Sequence, residues 1–86
     1  MNTGKRKEIK MAVTEKVKAL LSIKGKKNIE LAEHLGMSPQ SLQNKLNRSS
    51  FSAEDLIKIA DFTGATLAFE VNDNQKIVFE NTDIRG

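Results

Sequence analysis

The sequence predicts a mainly α chain, four short helices followed by a C-terminal β-hairpin, and three observations predict it. Apolar residues recur at three- and four-residue spacings from Ile9 to Thr63. That run is cut into four lengths by Gly25, by Gly36 with Pro39, and by the polar "NRSS" before Phe51. From Thr66 onward the spacing changes to two. The 86 residues contain no cysteine, so such a fold must rest on apolar packing around a small core.

In the first helix Ile9, Val13, Val17, Leu20 and Leu21 share one face, and Lys10, Glu15, Lys16 and Lys18 lie opposite. It should end near Lys24 with Gly25 as its C-terminal cap. Asn28 is placed to cap the second helix, whose Leu31, Ala32 and Leu35 face one way until Gly36 stops it. Ser38 then offers an N-cap and Pro39 a first helical residue whose missing N–H costs nothing. This third helix, residues 39–47, has Leu42 and Leu46 on one side. The fourth start is the best marked: Ser52 caps, Asp55 completes a capping box, and Phe51 and Leu56 form the staple. Leu56, Ile59, Ala60 and Thr63 carry that helix to Gly64. Leu67, Phe69 and Val71 then alternate with Ala68 and Glu70, and Ile77 and Phe79 with Val78 and Glu80, around a four-residue polar loop "NDNQ". The last residues, "NTDIRG", are expected to fray. A single domain is expected over 1–86, with a helical core at 8–64, the hairpin at 65–81 and a basic tail at 1–7.

Charge is divided unevenly. Residues 1–27 hold nine Lys/Arg against two Asp/Glu, and residues 28–86 hold five against nine. A local basic end on a small domain suits a polyanion, because neutralising phosphates is a general source of affinity. A single-strand or RNA binder would need exposed aromatics for stacking, but the chain has no Trp or Tyr, and its four Phe have capping or core positions. A membrane-surface role would use an apolar face that the first helix needs for its core. No signal peptide or spanning segment is read, and a soluble cytoplasmic protein is expected. With one histidine, His34, no cysteine and no glycine-rich phosphate loop, no catalytic residue, metal site or cofactor is expected.

The informative stretch is "NIELAEHLGMSPQSLQNKL". Two short helices joined by a turn containing Gly make a helix-turn-helix, in which Ala32 permits close crossing and Gly36 turns the chain. At about 100° per residue the buried direction of the third helix lies between Leu42 and Leu46, and Gln40, Asn44, Asn47 and Arg48 fall roughly 120° to 220° around from it. Amides present donor and acceptor together and match the N6/N7 edge of adenine, and Arg matches guanine or phosphate. No Asp or Glu occurs between Met37 and Phe51 to repel a phosphate.

Over about residues 12–64 the chain resembles the Cro and lambda-repressor type, or XRE-like, helix-turn-helix family. The resemblance rests on Asn28, Leu31, Ala32, Gly36 and Leu42, with "FSAEDLIKIADFTG" after them. It implies a four-helix lambda-repressor-like helix-turn-helix domain that binds double-stranded DNA as a transcriptional regulator, a repressor of bacterial or mobile-element origin. It implies base contacts from Pro39, Gln40, Ser41 and Asn44 and phosphate contacts from Asn28, Asn47, Arg48, Ser49 and Ser50, with Lys26 and Lys27 as charge support. Two departures stand out. Lys45 occupies a usually apolar position, with Leu46 apolar instead, which turns the core face by about 50° at the helix end or loosens its last turn. Pro39 replaces a polar contact residue, which limits it to apolar readout such as a thymine methyl.

The hairpin needs cover, because two strands alone are marginal in water. The first and fourth helices could supply it, or a second copy in a homodimer, the arrangement favoured here because duplicated half-sites add affinity. "MNTGKRK" is placed to serve as an arm along the DNA. The alternative function is an antitoxin-type DNA-binding protein whose residues 66–86, with net charge −2, neutralise a partner protein.

Overall fold

The computed structural model describes residues 12–84. The expected start of the first helix at Ile9 and the basic arm at 1–7 lie outside the described residues. Four helices follow one another: α1 (Val13–Lys24), α2 (Asn28–Leu35), α3 (Pro39–Arg48) and α4 (Ala53–Thr63). An antiparallel hairpin of β1 (Leu67–Asn72) and β2 (Gln75–Phe79) comes next, and a 3-10 turn at Asn81–Asp83 closes the described chain. The mainly helical fold with a C-terminal hairpin is the one the residue spacing predicts.

Val17 and Leu21 of α1, Leu31 and Ala32 of α2, Leu42 and Leu46 of α3 and Ile59 of α4 form one core. Leu31, Leu42 and Ile59 are its largest fully buried side chains, each contributing about 1.5–3 kcal/mol of burial energy. Ala32, 1% exposed, sits where α2 and α3 meet, so the helices approach without a larger side chain between them. The turn between them depends on Gly36, whose φ of 72° closes α2 through bonds to Ala32 and Glu33 carbonyls. A Cβ there would meet no atom within 4 Å, so the requirement for glycine comes from the backbone angle alone.

Four local expectations are corrected. Asn28 does not cap α2: Lys27 is the N-cap residue, Asn28 is the first helical residue, and the Glu30 carboxylate accepts the Lys27 N–H at 2.8 Å. The face of α1 is turned, with Thr14 buried and Val13 41% exposed, because Thr14 has polar partners at the end of α3 that a valine lacks. The hairpin loop is tighter than four residues. Asn72 already pairs with Gln75, leaving Asp73–Asn74 as the turn, held by the Asn74 N–H donating to Asn72 Oδ1 at 2.8 Å. The segment after β2 does not fray at once, because the Glu80 N–H donates to Asp83 Oδ2 and the turn packs on α4. On α4, Ile57 is buried and Leu56 half-buried, since this helix meets α1, α2, β1 and the terminal turn and so buries a wide arc.

The hairpin is covered only at its root. Leu67 and Phe79 are half-buried, whereas Phe69 and Ile77 on the same face are 63% and 59% exposed, and Val71, at the register irregularity between Glu70 and Asn72, is 58% exposed. Phe69 meets the edge of Phe79 with centroids 5.0 Å apart, which stiffens that face without shielding it.

Candidate nucleic-acid interface

The candidate surface is the outer side of α3, and its geometry begins at the N-terminus of that helix. Ser38, extended in backbone, accepts the Ser41 N–H at 3.1 Å, and its hydroxyl donates to Ser41 Oγ at 3.0 Å. Pro39 then starts the helix with φ pre-set and no orphan donor. Leu42 and Leu46 anchor the inner side at 1% and 3% exposure, so rotation of α3 about its axis is fixed. The outer side is fixed with it. Pro39, Gln40, Ser41, Asn44, Asn47 and Arg48 are all exposed.

Two amide pairs run along this side. Gln40 Nε2 donates to Asn44 Oδ1 at 3.2 Å, and Gln43 Nε2 donates to Asn47 Oδ1 at 2.9 Å. Each bond is an i,i+4 contact that holds two flexible side chains in one arrangement. Gln40 keeps its carbonyl oxygen and one N–H, and Asn44 keeps both amide hydrogens, so a donor and an acceptor remain side by side. Gln43, about 80° from the buried direction of α3, lies on its flank, and its spacing of four from Asn47 is the same as that of Gln40 from Asn44.

The end of α3 is tied down by two contacts. Lys45, at a position usually apolar in the resembled family, donates from Nζ to Asp55 Oδ2 at 2.9 Å, linking α3 to the capping box of α4. In that box the Ser52 N–H donates to Asp55 Oδ2 and the Asp55 N–H to Ser52 Oγ, both at 3.0 Å. Burial would raise the Asp55 carboxyl. The Lys45 hydrogen bond, the Ser52 N–H, the Lys45 charge and the Ser52 side chain outweigh burial and hold it below the usual aspartate value. The last turn is therefore not loose. The second contact joins α1: Thr14 Oγ1 donates to the Leu46 carbonyl at 2.6 Å and accepts the Ser49 hydroxyl at 2.7 Å.

This second contact gives one candidate phosphate residue a structural role. Ser49 is the C-cap of α3 with a φ of 51°, the one positive value outside glycine among the described residues, and its hydroxyl proton is directed to Thr14. It is a junction residue between α3 and α1. Lys26, Lys27, Asn28, Arg48 and Ser50 are exposed. Lys26 Nζ lies 5.1 Å from the centroid of Phe62, which also meets the His34 ring at 4.9 Å. That contact draws Lys26 toward the α2–α4 side and leaves Lys27 the less constrained lysine. Among the described residues the ion pairs are Lys45–Asp55 and Lys58–Glu54, so Arg48 and Lys27 have no described carboxylate against them.

Among the described residues no group of three or more His, Cys, Asp or Glu side chains is placed to hold a metal ion, and no helix is long and apolar enough to cross a membrane. In comparison with known families, the model described as the bacteriophage CI repressor helix-turn-helix domain matches residues 12–70. No curated protein and no solved structure shows significant similarity to the chain.

Proposed function

Since the chain belongs to the bacteriophage CI repressor helix-turn-helix family and is a DNA-binding regulator, we propose that it represses transcription by reading the major groove with α3. The observation that carries this is the amide pair Gln40–Asn44 on the exposed side of a helix whose inner side is locked by Leu42 and Leu46. Gln40 accepts from adenine N6 through its carbonyl oxygen and donates to N7 through its second N–H, with Asn44 holding the amide in that plane. Pro39 meets a thymine methyl, and the Ser41 hydroxyl, which accepts from Ser38 and keeps its own proton, reaches an adjacent base edge. Lys27, the backbone N–H of Asn28 and the side chains of Asn47, Arg48 and Ser50 bind phosphates on either side and set the register. Lys26 adds charge from beside Phe62.

One such helix reads few base pairs. The protein acts as a cytoplasmic homodimer on two half-sites about 34–36 Å apart, on one side of the duplex. Selecting bound duplexes from a random pool tests this directly. Recovery of an inverted repeat with adenine at one position of each half-site is expected, and recovery of unenriched sequence refutes base readout.

A further inference from the structure

Two parallel rows of side chains run along the outer side of α3, because residues four apart on a helix lie nearly one above the other. One row is Gln40, Asn44 and Arg48, and the other is Pro39, Gln43 and Asn47. Gln40 of the first row is the proposed base reader. In the second row Gln43 is exposed, about 80° from the buried direction, and has no part in the core. Among the described residues its one side-chain hydrogen bond is the donation from Nε2 to Asn47 Oδ1 at 2.9 Å, the shorter of the two amide bonds. That bond has a direction. It turns the Asn47 oxygen, the atom a phosphate would repel, back along the helix, and leaves both hydrogens of Asn47 Nδ2 unused.

We propose that Gln43 is a positioning residue for DNA binding: it holds the Asn47 amide with its N–H groups outward, ready for a phosphate oxygen. The need for such a device arises at this end of α3. A helix C-terminus presents carbonyls and a partial negative charge, both unfavourable to a phosphate. The next backbone N–H groups, those of Ser49 and Ser50, already donate to the Leu46 and Lys45 carbonyls. Donors for a phosphate here must therefore come from side chains, and Asn47, Arg48 and Ser50 are the exposed ones. A guanidinium donates from every nitrogen and a hydroxyl turns freely, but an asparagine amide presents a donor or an acceptor according to which way it is turned. Of the three, Asn47 alone needs a neighbour to set its direction. Gln43 sets it before DNA arrives, so ordering this side chain costs less on binding.

The inference deepens the phosphate contact proposed for Asn47 and rests on it, and a double-mutant cycle of duplex affinity at fixed salt separates the two. Gln43→Met keeps the length of the side chain and removes its donor. It is expected to weaken binding about twofold to tenfold, the range for leaving one such side chain unordered, and to do so equally on operator and random duplexes. Asn47→Ala should weaken binding at least as much. Adding Gln43→Met to Asn47→Ala should then change nothing further. Because Gln43 is exposed, the helical signal and melting temperature should stay at their wild-type values. A second measurement needs no DNA: the NMR order parameter of the Asn47 side-chain amide should fall in Gln43→Met. Additive losses in the cycle overturn the positioning role, as does an Asn47 amide equally mobile in both proteins. A Gln43→Met loss confined to the operator overturns it too, and makes Gln43 a base reader. In each of these results an operator preference that survives spares the reading of α3. No loss from Asn47→Ala removes the phosphate contact and this inference with it, and a wild type that binds no duplex removes the DNA reading as well.

Discussion

At the scale of single residues, the chain divides polar side chains between holding the fold and facing outward. Asp55 and Lys45 belong to the first group. Because the folded environment depresses the Asp55 carboxyl, its contribution is complete above the unfolded value of about 3.9 and is lost as pH falls through the lower folded value. Asp55→Asn is expected to cost about 1 kcal/mol near pH 7, by weakening a charged cap and its lysine contact, and progressively less as pH falls below the unfolded value. Urea denaturation of both proteins along a descending pH series checks this, and a gap that stays constant would remove the charge from the explanation. Lys27 belongs to the second group. Replacing it with Ala should weaken specific and random duplexes alike and reduce the salt slope of log K by about 0.9. A loss confined to the operator would mean that Lys27 reads a base.

Individual elements show where sequence spacing suffices and where it fails. All four helix ends at Gly25, Gly36, Ser49 and Gly64 adopt left-handed angles, and three of them were marked by glycine. Ser49 could not be recognised the same way, since its backbone angle is stabilised by Thr14, 35 positions earlier. For the same reason Thr14, a polar residue one place from the apolar Val13, gave no sign that it is the one buried. Spacing records periodicity along a helix, and a hydrogen bond between distant helices leaves no period. Thr14→Val should cost about 1–3 kcal/mol, because it removes the donor to the Leu46 carbonyl and the acceptor of Ser49 together. Thermal unfolding would show it, and unchanged stability would make the α1–α3 junction incidental. Ala32→Leu should cost about 1–3 kcal/mol by forcing α2 and α3 apart. Wild-type stability in that variant would contradict the close crossing.

In the whole molecule, the two outward surfaces are made of different chemistry. The α3 side carries amides, hydroxyls and Arg48, and the hairpin side carries Phe69, Val71 and Ile77. Gln40 and Asn44 were legible as outward residues because Leu42 and Leu46 fix the phase of their helix. The exposure of Phe69 was not legible, because alternation identifies a strand's apolar face without revealing what covers it. The Lys45–Asp55 link was equally hidden. An apolar family position filled by lysine looks like a fault in the core until the acid ten residues later is placed beside it. Together these contacts fix α3 at its start through Ser38, along its length through two leucines and at its end through Lys45 and the Leu46 carbonyl.

That fixed amide side is the centre of the functional account, and one comparison tests it most directly: the affinity of wild type and Gln40→Ala for the selected operator and for a random duplex at the same salt concentration. The account predicts a loss of about 1–3 kcal/mol on the operator and little change on random DNA. Equal losses on both duplexes, or none on either, would contradict it.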